Sequence, residues 1–233
     1  MRTKDGWQLK FDHVYVTLAD ITAYQLESPF TLEDGIQTDN LQEELLSKSN
    51  VTISLDEAHR VDLATGDETA DPVLIGTKRG PSGQYNALSW TLVSAETNSG
   101  QNSSLLLKGK ASKNNQEVDF SLNFNHPLRF VCGDYVGDER KGIVRPKGEA
   151  DVEATFHLDH LFGDAEVSLD DEINTGGLGF EPFARFVRDG VVSVDMPALQ
   201  QNFSKEDYDK LLSILANLGH VGEGHCKAIA SSN

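Results

Sequence analysis

The sequence has few of the features from which a function is usually predicted. The 233 residues include 2 cysteines and 2 methionines, and no apolar run approaches the ~20 residues that a membrane-spanning helix needs. There is no GxSxG element, no phosphate-binding P-loop, and no GxGxxG fingerprint between a strand and a helix. These absences argue against a helical membrane protein, a common serine hydrolase and a nucleotide-binding enzyme.

Basic charge is also scarce. The 20 lysine and arginine residues are outnumbered by 37 aspartate and glutamate residues, which gives a formal net charge of −17 at pH 7. A negative field repels the phosphates of nucleic acids and of anionic lipids. We therefore expect no nucleic-acid partner and no docking on anionic lipid, and the lack of a long apolar run predicts no membrane span. The acidity either concentrates cations near the surface or only keeps the protein soluble.

The two cysteines, Cys132 and Cys226, are too far apart in the sequence for a CxxC zinc or redox motif. Spacing alone leaves three interpretations open, which are one long-range disulfide, two metal ligands or two free thiols. A chain of this length buries a sufficient core without crosslinks, so the cysteines are not needed merely for folding.

Alternation of apolar and polar residues predicts a mainly β fold. One face of the first strand-like segment is expected to carry Trp7, Leu9, Phe11, His13 and Tyr15. A hairpin is predicted around Lys113–Gln116, and further strands are predicted at Tyr85–Val93, Val73–Thr77 and Asp151–Leu158. Short strands at this spacing are typical of an antiparallel β-sandwich or barrel with a few short peripheral helices.

Helical patterns are few and lie mostly near the C-terminus. Leu41–Lys48 reads as a short amphipathic helix, and Ser204 as the N-cap of a longer one that Gly219 ends. No linker composition divides the chain. We therefore expect one β-rich domain over residues 1–233, with a helical C-terminal extension at about 183–218.

Two short segments of the second half are rich in metal-ligand residue types. The first, TFHLDHLFGD, contains His157, Asp159 and His160, and the second, GHVGEGHC, contains His220, Glu223 and His225. Imidazole, carboxylate and thiolate groups are the ligands that transition metals take, and structural zinc requires four of them. The glycines of the second segment allow it to fold its side chains around one point.

These residues also allow other interpretations. Histidines can cap strands or form a satisfied polar network without a metal, and the spacing matches no zinc motif such as HExxH. A zinc hydrolase would need a carboxylate base, for which Glu223 is the candidate. Cys226 beside His225 is a poor nucleophile–base pair, because such partners usually come from distant segments. We therefore predict no catalytic residue and lean against an enzyme.

The phrases DGWQLKFDHVYV, TFHLDHLFGD and LGHVGEGHC together resemble a family of exported bacterial proteins, often lipoproteins, of poorly defined role. The His-x-Asp-His-Leu-Phe element is also similar to a segment of methanobactin-associated periplasmic copper proteins. The resemblance implies a signal-bearing precursor, a periplasmic or extracellular location with a possible lipid anchor, and metal association. It carries the family's histidine positions onto His13, His157, His160, His220 and His225.

The leading hypothesis is an extracytoplasmic metal-binding β-sandwich for storage, sensing or delivery. It would hold one transition-metal ion, zinc first and copper second, and a protein is the second expected partner after the metal ion. Its predicted ligands are His13, His157, Asp159, His160, His220, Glu223 and His225. In an oxidising compartment, Cys132 and Cys226 are expected to be bonded to each other. The alternatives are a metal-free adhesion or protein-interaction sandwich and, third, a zinc-dependent hydrolase.

Overall fold

A computed structural model of the chain describes residues 1–27, 41–66, 70–96, 100–133, 141–222 and 224–230. The strands of the large sheet are β1 (Gln8–Leu26), β2 (Ser49–Leu55), β3 (His59–Asp62), β5 (Ala87–Leu92), β8 (Leu105–Lys113), β9 (Gln116–Phe124), β10 (Leu128–Gly133), β13 (Val191–Asp195) and β16 (Lys227–Ala230). Shorter strands are β4 (Gly83–Gln84), β6 (Ala95–Glu96), β7 (Asn102–Ser103), β11 (Ile143–Val144), β12 (Thr155–Phe156), β14 (Gly219–Val221) and β15 (Gly224–His225). The helices are α1 (Leu41–Lys48), α2 (Asp159–Phe162), α3 (Glu172–Gly176), α4 (Glu181–Ala184), α5 (Met196–Asn202) and α6 (Lys205–Ala216).

Strand β1 organises the large sheet because it pairs along both of its edges. Tyr15 and Val16 pair with both β3 and β8, and Leu18 pairs with both β3 and β5. Strands β8 and β5 therefore follow one another along one edge of β1, and β3 and β2 lie along the other. The hydrogen-bonded order is β13-β9-β8-β1-β5-β10-β16.

The predicted mainly β class with a few short helices is confirmed. Among the described residues, 42% lie in strands and 19% in helices, and the sheets are not closed into a barrel. The large sheet is mixed, since β13 runs parallel to β9 while the other pairs along the path are antiparallel. Among the described residues, no helix has the length and apolar character that crossing a membrane requires.

A β-bulge in β1 changes the face on which His13 lies. The register with β8 shifts between Phe11 and His13, so the extra residue, Asp12, interrupts the alternation. Leu9 is buried before the bulge and Val14 after it, whereas His13 lies with the half-buried Tyr15 on the opposite face. The prediction that His13 shares a face with Trp7, Leu9 and Phe11 is therefore wrong, because strict period-2 counting does not survive an inserted residue.

The main hydrophobic core lies between the strands of the large sheet and the helices that pack against it. Trp90 of β5 stacks on Phe130 of β10 with ring centroids 5.3 Å apart, and Phe120 of β9 meets Phe180 edge-on at 5.5 Å. Full burial of a large apolar side chain such as Phe180 contributes about 1.5–3 kcal/mol. The helices of the second half of the chain therefore pack against the large sheet through this core.

The C-terminal region combines helices with a strand that the pattern did not predict. Ser204 caps α6 as predicted, since its Oγ accepts a hydrogen bond from the Asp207 N–H at 3.0 Å. The helix ends at Ala216 with Asn217 as its C-cap, whereas Gly219, the predicted end, begins β14. Strand β13 lies inside the predicted helical extension and pairs with β9.

One predicted strand is absent from the described residues, and a second is shorter than predicted. Residues 73–77 belong to no strand, and within 151–158 only Thr155 and Phe156 pair, forming β12. The chain then turns, and α2 begins at Asp159. Helix α1 and the hairpin of β8 and β9 are confirmed with nearly the predicted bounds.

Cys132 of β10 and Cys226 form a disulfide, so the predicted bond is confirmed. Both residues are buried, at 1% and 2% exposure. Cys226 lies between β15 and β16, and β16 pairs with β10 over four residues. The bond therefore ties the C-terminal strands to the large sheet beside the residues described next.

Candidate metal site

His157, Asp159 and His160 lie together where β12 gives way to α2. The His157 N–H donates to the Leu218 carbonyl at 2.9 Å, which continues the pairing of β12 with β14 before the chain turns. Residues three apart on a helical turn lie on one face. One potential ligand atom from each of the three side chains lies within 4.8 Å of the others, and all three residues are half-buried. We call these residues the 157–160 cluster.

Hydrogen bonds orient two members of the cluster. The Asn217 carbonyl lies 3.1 Å from Nδ1 of His160, and because a carbonyl only accepts, Nδ1 is the donor in this bond. Oδ1 of Asp159 accepts the His160 main-chain N–H at 3.1 Å and lies 3.6 Å from Nδ1 of His157. A ring nitrogen held in this way is the usual outer-shell arrangement of a metal-binding histidine.

His220 of β14 brings a third imidazole against the cluster. Its ring centroid lies 4.2 Å from that of His157 and 5.1 Å from that of His160, and the residue is 5% exposed. Strand β14 is the centre of a small sheet, with β12 on one edge and β15 on the other. Gly219 allows this sheet to approach the core closely, because a Cβ at that position would lie 2.7 Å from Cδ1 of Phe130.

The second predicted segment is described only in part. Its main chain returns as β15, so that His220 pairs with His225, and Gly222 takes a φ of 59° that favours glycine. Glu223 and the side chain of His225 lie outside the described residues. Their roles as ligands stay predictions.

The structure does not place His13 in the 157–160 cluster. Nδ1 of His13 lies 2.7 Å from Oδ2 of Asp62 at the end of β3, and its ring stacks on Tyr15 with centroids 5.0 Å apart. The bulge in β1 is the reason, since it rotates His13 away from the core face. His13 therefore forms a separate pair with a carboxylate that the sequence pattern did not single out.

The His13–Asp62 pair has its own electrostatic character. Partial burial of Asp62 disfavours its charge, but hydrogen bonds from His13 and from the N–H groups of Val14 and Ala64 outweigh that effect and lower the pKa of Asp62. Asp62 thus stays ionised and holds the imidazole in place. His126, which lies elsewhere, has a pKa lowered by burial.

The sequence analysis identified the histidines of the site but missed the groups that hydrogen-bond to them. The Asn217 carbonyl is a main-chain group, so its role depends on where α6 ends and leaves no trace in residue type. Asp62 offered one weak signal, namely a carboxylate at the end of a strand-like segment before a turn.

The comparisons with known proteins bear on neither fold family nor function. The chain matches no protein-family model, and searches of curated proteins and of solved structures found no match either.

Proposed function

We propose that the protein is an extracytoplasmic metal-binding protein and that the 157–160 cluster, with His220, binds one transition-metal ion. Zinc is the first candidate and copper the second. The observation that carries the proposal is the convergence of ligand atoms of His157, Asp159 and His160 within 4.8 Å. Storage, sensing or delivery of the ion are the roles for which such a site is suited.

The distances allow a shared ion after small adjustments. Ligand atoms around a tetrahedral zinc lie about 3.3 Å apart, as follows from Zn–N bonds of about 2.0–2.1 Å. The present limit of 4.8 Å exceeds that value by an amount that rotation of half-buried side chains can close. The rings of His220 and His157 are tilted by 34° with centroids 4.2 Å apart, so His220 must turn its ring edge toward the ion to become a ligand.

A location outside the cytoplasm is part of the same proposal. The Cys132–Cys226 disulfide supports it, because protein disulfides persist in oxidising compartments and are rare in the cytosol. The net charge of −17 supports the metal-binding part of the proposal and not the location, since a negative field favours cations near the surface. A lipid anchor on a longer precursor stays a prediction.

Metal analysis of the purified protein tests the site. We expect about one zinc or copper ion per chain after equilibration and removal of excess metal, and loss of binding in H157A/H160A, which removes two ligands of a four-coordinate site. His59→Ala is the matched control, since His59 lies on β3 beside β1. Circular dichroism of each variant checks that the fold persists.

The outcomes separate the proposal from its rivals. Full retention of metal in H157A/H160A would assign the binding elsewhere. No binding by the native protein would favour a metal-free polar network, as in the adhesion or interaction sandwich. Binding by both the native protein and H225A would exclude His225 as a necessary ligand.

A further inference from the structure

The segment between β3 and β4 is exposed to solvent along most of its described length. Every residue from Ala70 to Ser82 except Ile75 is exposed, and none of them belongs to a helix or strand. Within the described part of the chain, no hydrogen bond between main-chain groups involves residues 70–80. Exposed segments of this kind are preferred sites of proteolytic nicking, because little structure must open before the protease binds.

A pair of basic residues lies within this segment. Lys78 and Arg79 are both exposed, and serine proteases with an aspartate in the specificity pocket accept such side chains. Nζ of Lys78 lies 3.1 Å from Oδ2 of Asp56, but these side chains are 48% and 79% exposed. Ion pairs that are so exposed are weak, and this one does not hold the lysine away from a competing acidic pocket.

Three other basic residues outside the long strands and helices, namely Arg145, Lys147 and Arg188, are poorer substrates, whereas the second paired sequence, Arg140–Lys141, includes a residue outside the described part of the chain. Arg145 precedes Pro146, whose imide nitrogen hinders cleavage by such proteases. Lys147 has a φ of 62°, and Arg188 precedes Asp189, whose φ is 50°. Left-handed turns of this kind do not present the extended backbone that a protease binds.

We propose that Lys78–Arg79 is a processing site for a serine endoprotease that selects paired basic residues. Hydrolysis breaks the bond between the Arg79 carbonyl carbon and the Gly80 nitrogen. Water supplies the hydroxyl that completes the Arg79 carboxyl group and the proton that completes the Gly80 amine. The products are fragments 1–79 and 80–233, whose new ends lie on the surface.

The two fragments remain assembled because β1 of the first fragment pairs with strands of the second. Fragment 1–79 contains β1, which pairs with β5 and β8 of fragment 80–233. Leu9 and Val16 of β1, and Trp7 just before it, are buried in the common core. The disulfide does not contribute, since Cys132 and Cys226 both lie in the second fragment.

Gly80 sets the main resistance to cleavage. A Cβ at this position would lie 1.9 Å from Cδ1 of Ile53 and 2.5 Å from the Tyr85 hydroxyl, so its main chain lies close against β2 and Tyr85. The protease must lift Gly80 from these contacts. Residues 70–79, in contrast, form no hydrogen bonds between main-chain groups within the described part of the chain, so none has to be broken there.

The experiment is a time course of limited digestion of the full chain, followed by intact-mass measurement. Trypsin serves as the probe of accessibility and a pair-specific serine endoprotease as the probe of selectivity. We expect the first cut after Lys78 or Arg79, slowed at least tenfold in K78Q/R79Q and unchanged in K110Q/K205Q, which removes exposed lysines from β8 and α6. With the pair-specific protease, K78Q alone should slow the cut by a similar factor.

Native size-exclusion chromatography of the nicked protein tests the assembly. We expect both fragments in one peak, separating in denaturant without a reducing agent. A first cut at any other position, such as after Arg140, or an unchanged rate in K78Q/R79Q, would overturn the site. Separation of the fragments under native conditions would overturn the shared-core argument.

Discussion

Removal of the Cys132–Cys226 disulfide should lower the free energy of unfolding without changing the native fold. The bond closes a loop with a sequence separation of 94. In the chain-entropy model, a loop of this length restricts the unfolded chain by about 15.6 cal/mol/K, or about 4.7 kcal/mol at 25 °C. The variant C132A/C226A is the direct test.

Native contacts near the bond explain why the fold should persist in the variant. Strand β16 pairs with β10 at four positions, and the Cys226 N–H donates to the Gly219 carbonyl at 3.0 Å. These hydrogen bonds do not require the sulfur atoms. The loss should therefore arise mainly in the unfolded state, with a smaller cost from the volume vacated by the two buried sulfurs.

Urea unfolding monitored by tryptophan fluorescence measures the effect, because Trp7 and Trp90 are both buried in the core. We expect the variant to lose about 3–5 kcal/mol. Its slope against urea should rise, since an uncrosslinked unfolded chain exposes more surface. Reduced native protein provides the control and should resemble the variant. A loss below about 1 kcal/mol in both would refute the loop-closure reasoning.

Three further predictions concern titration and helix capping. Metal affinity of the 157–160 cluster should fall more than tenfold per pH unit between about pH 7 and pH 5 if two or more protons displace one ion, because an imidazole must be neutral to bind and protons compete with the metal. Chelator competition, corrected for protonation of the chelator, measures this affinity, and a flat profile would exclude the histidines as ligands. D62N should destabilise the protein near pH 7 relative to the exposed D56N control. Because the folded-state pKa of Asp62 is lowered, its contribution is present above the unfolded pKa of about 3.9 and is lost as pH falls through the folded value, so urea midpoints of D62N and native protein should converge in acid, and a constant gap would contradict this. Ser204→Ala should cost about 1 kcal/mol through loss of the N-cap, whereas Ser213→Ala, at an exposed position within α6, should be nearly neutral in the same assay.

Sequence patterns predicted the strands and helices whose formation depends on neighbouring residues. The hairpin of β8 and β9 followed from alternation around a polar turn, and α6 from its Ser204 cap and apolar spacing. Strand β13 was missed because it has only 5 residues, Val191–Asp195, and lies next to helical segments. Its parallel pairing with β9 depends on a distant strand, which no local window contains.

The candidate site was predictable in composition and not in geometry. Clustering of histidines identified His157, His160 and His220, but the expectation that Asp151–Leu158 forms one strand failed at the turn after His157. That turn is what brings His160 beside His157. The resemblance brought His13 into the predicted ligand set, and alternation placed it on the same face as Trp7 and Leu9, but one inserted residue, Asp12, turns it to the opposite face.

The pairing of β12 with β14 is the step that makes a site out of two unrelated segments. It involves only Thr155 with His220 and Phe156 with Gly219, so few hydrogen bonds join the segments directly. Their relative position is secured by packing, because Phe156 meets both Trp90 and Phe130 edge-on and Gly219 lies against Phe130. The aromatic core of β5 and β10 therefore sets the spacing of His157 and His220, and a core change at Phe130 would reach the imidazoles through the backbone of β14.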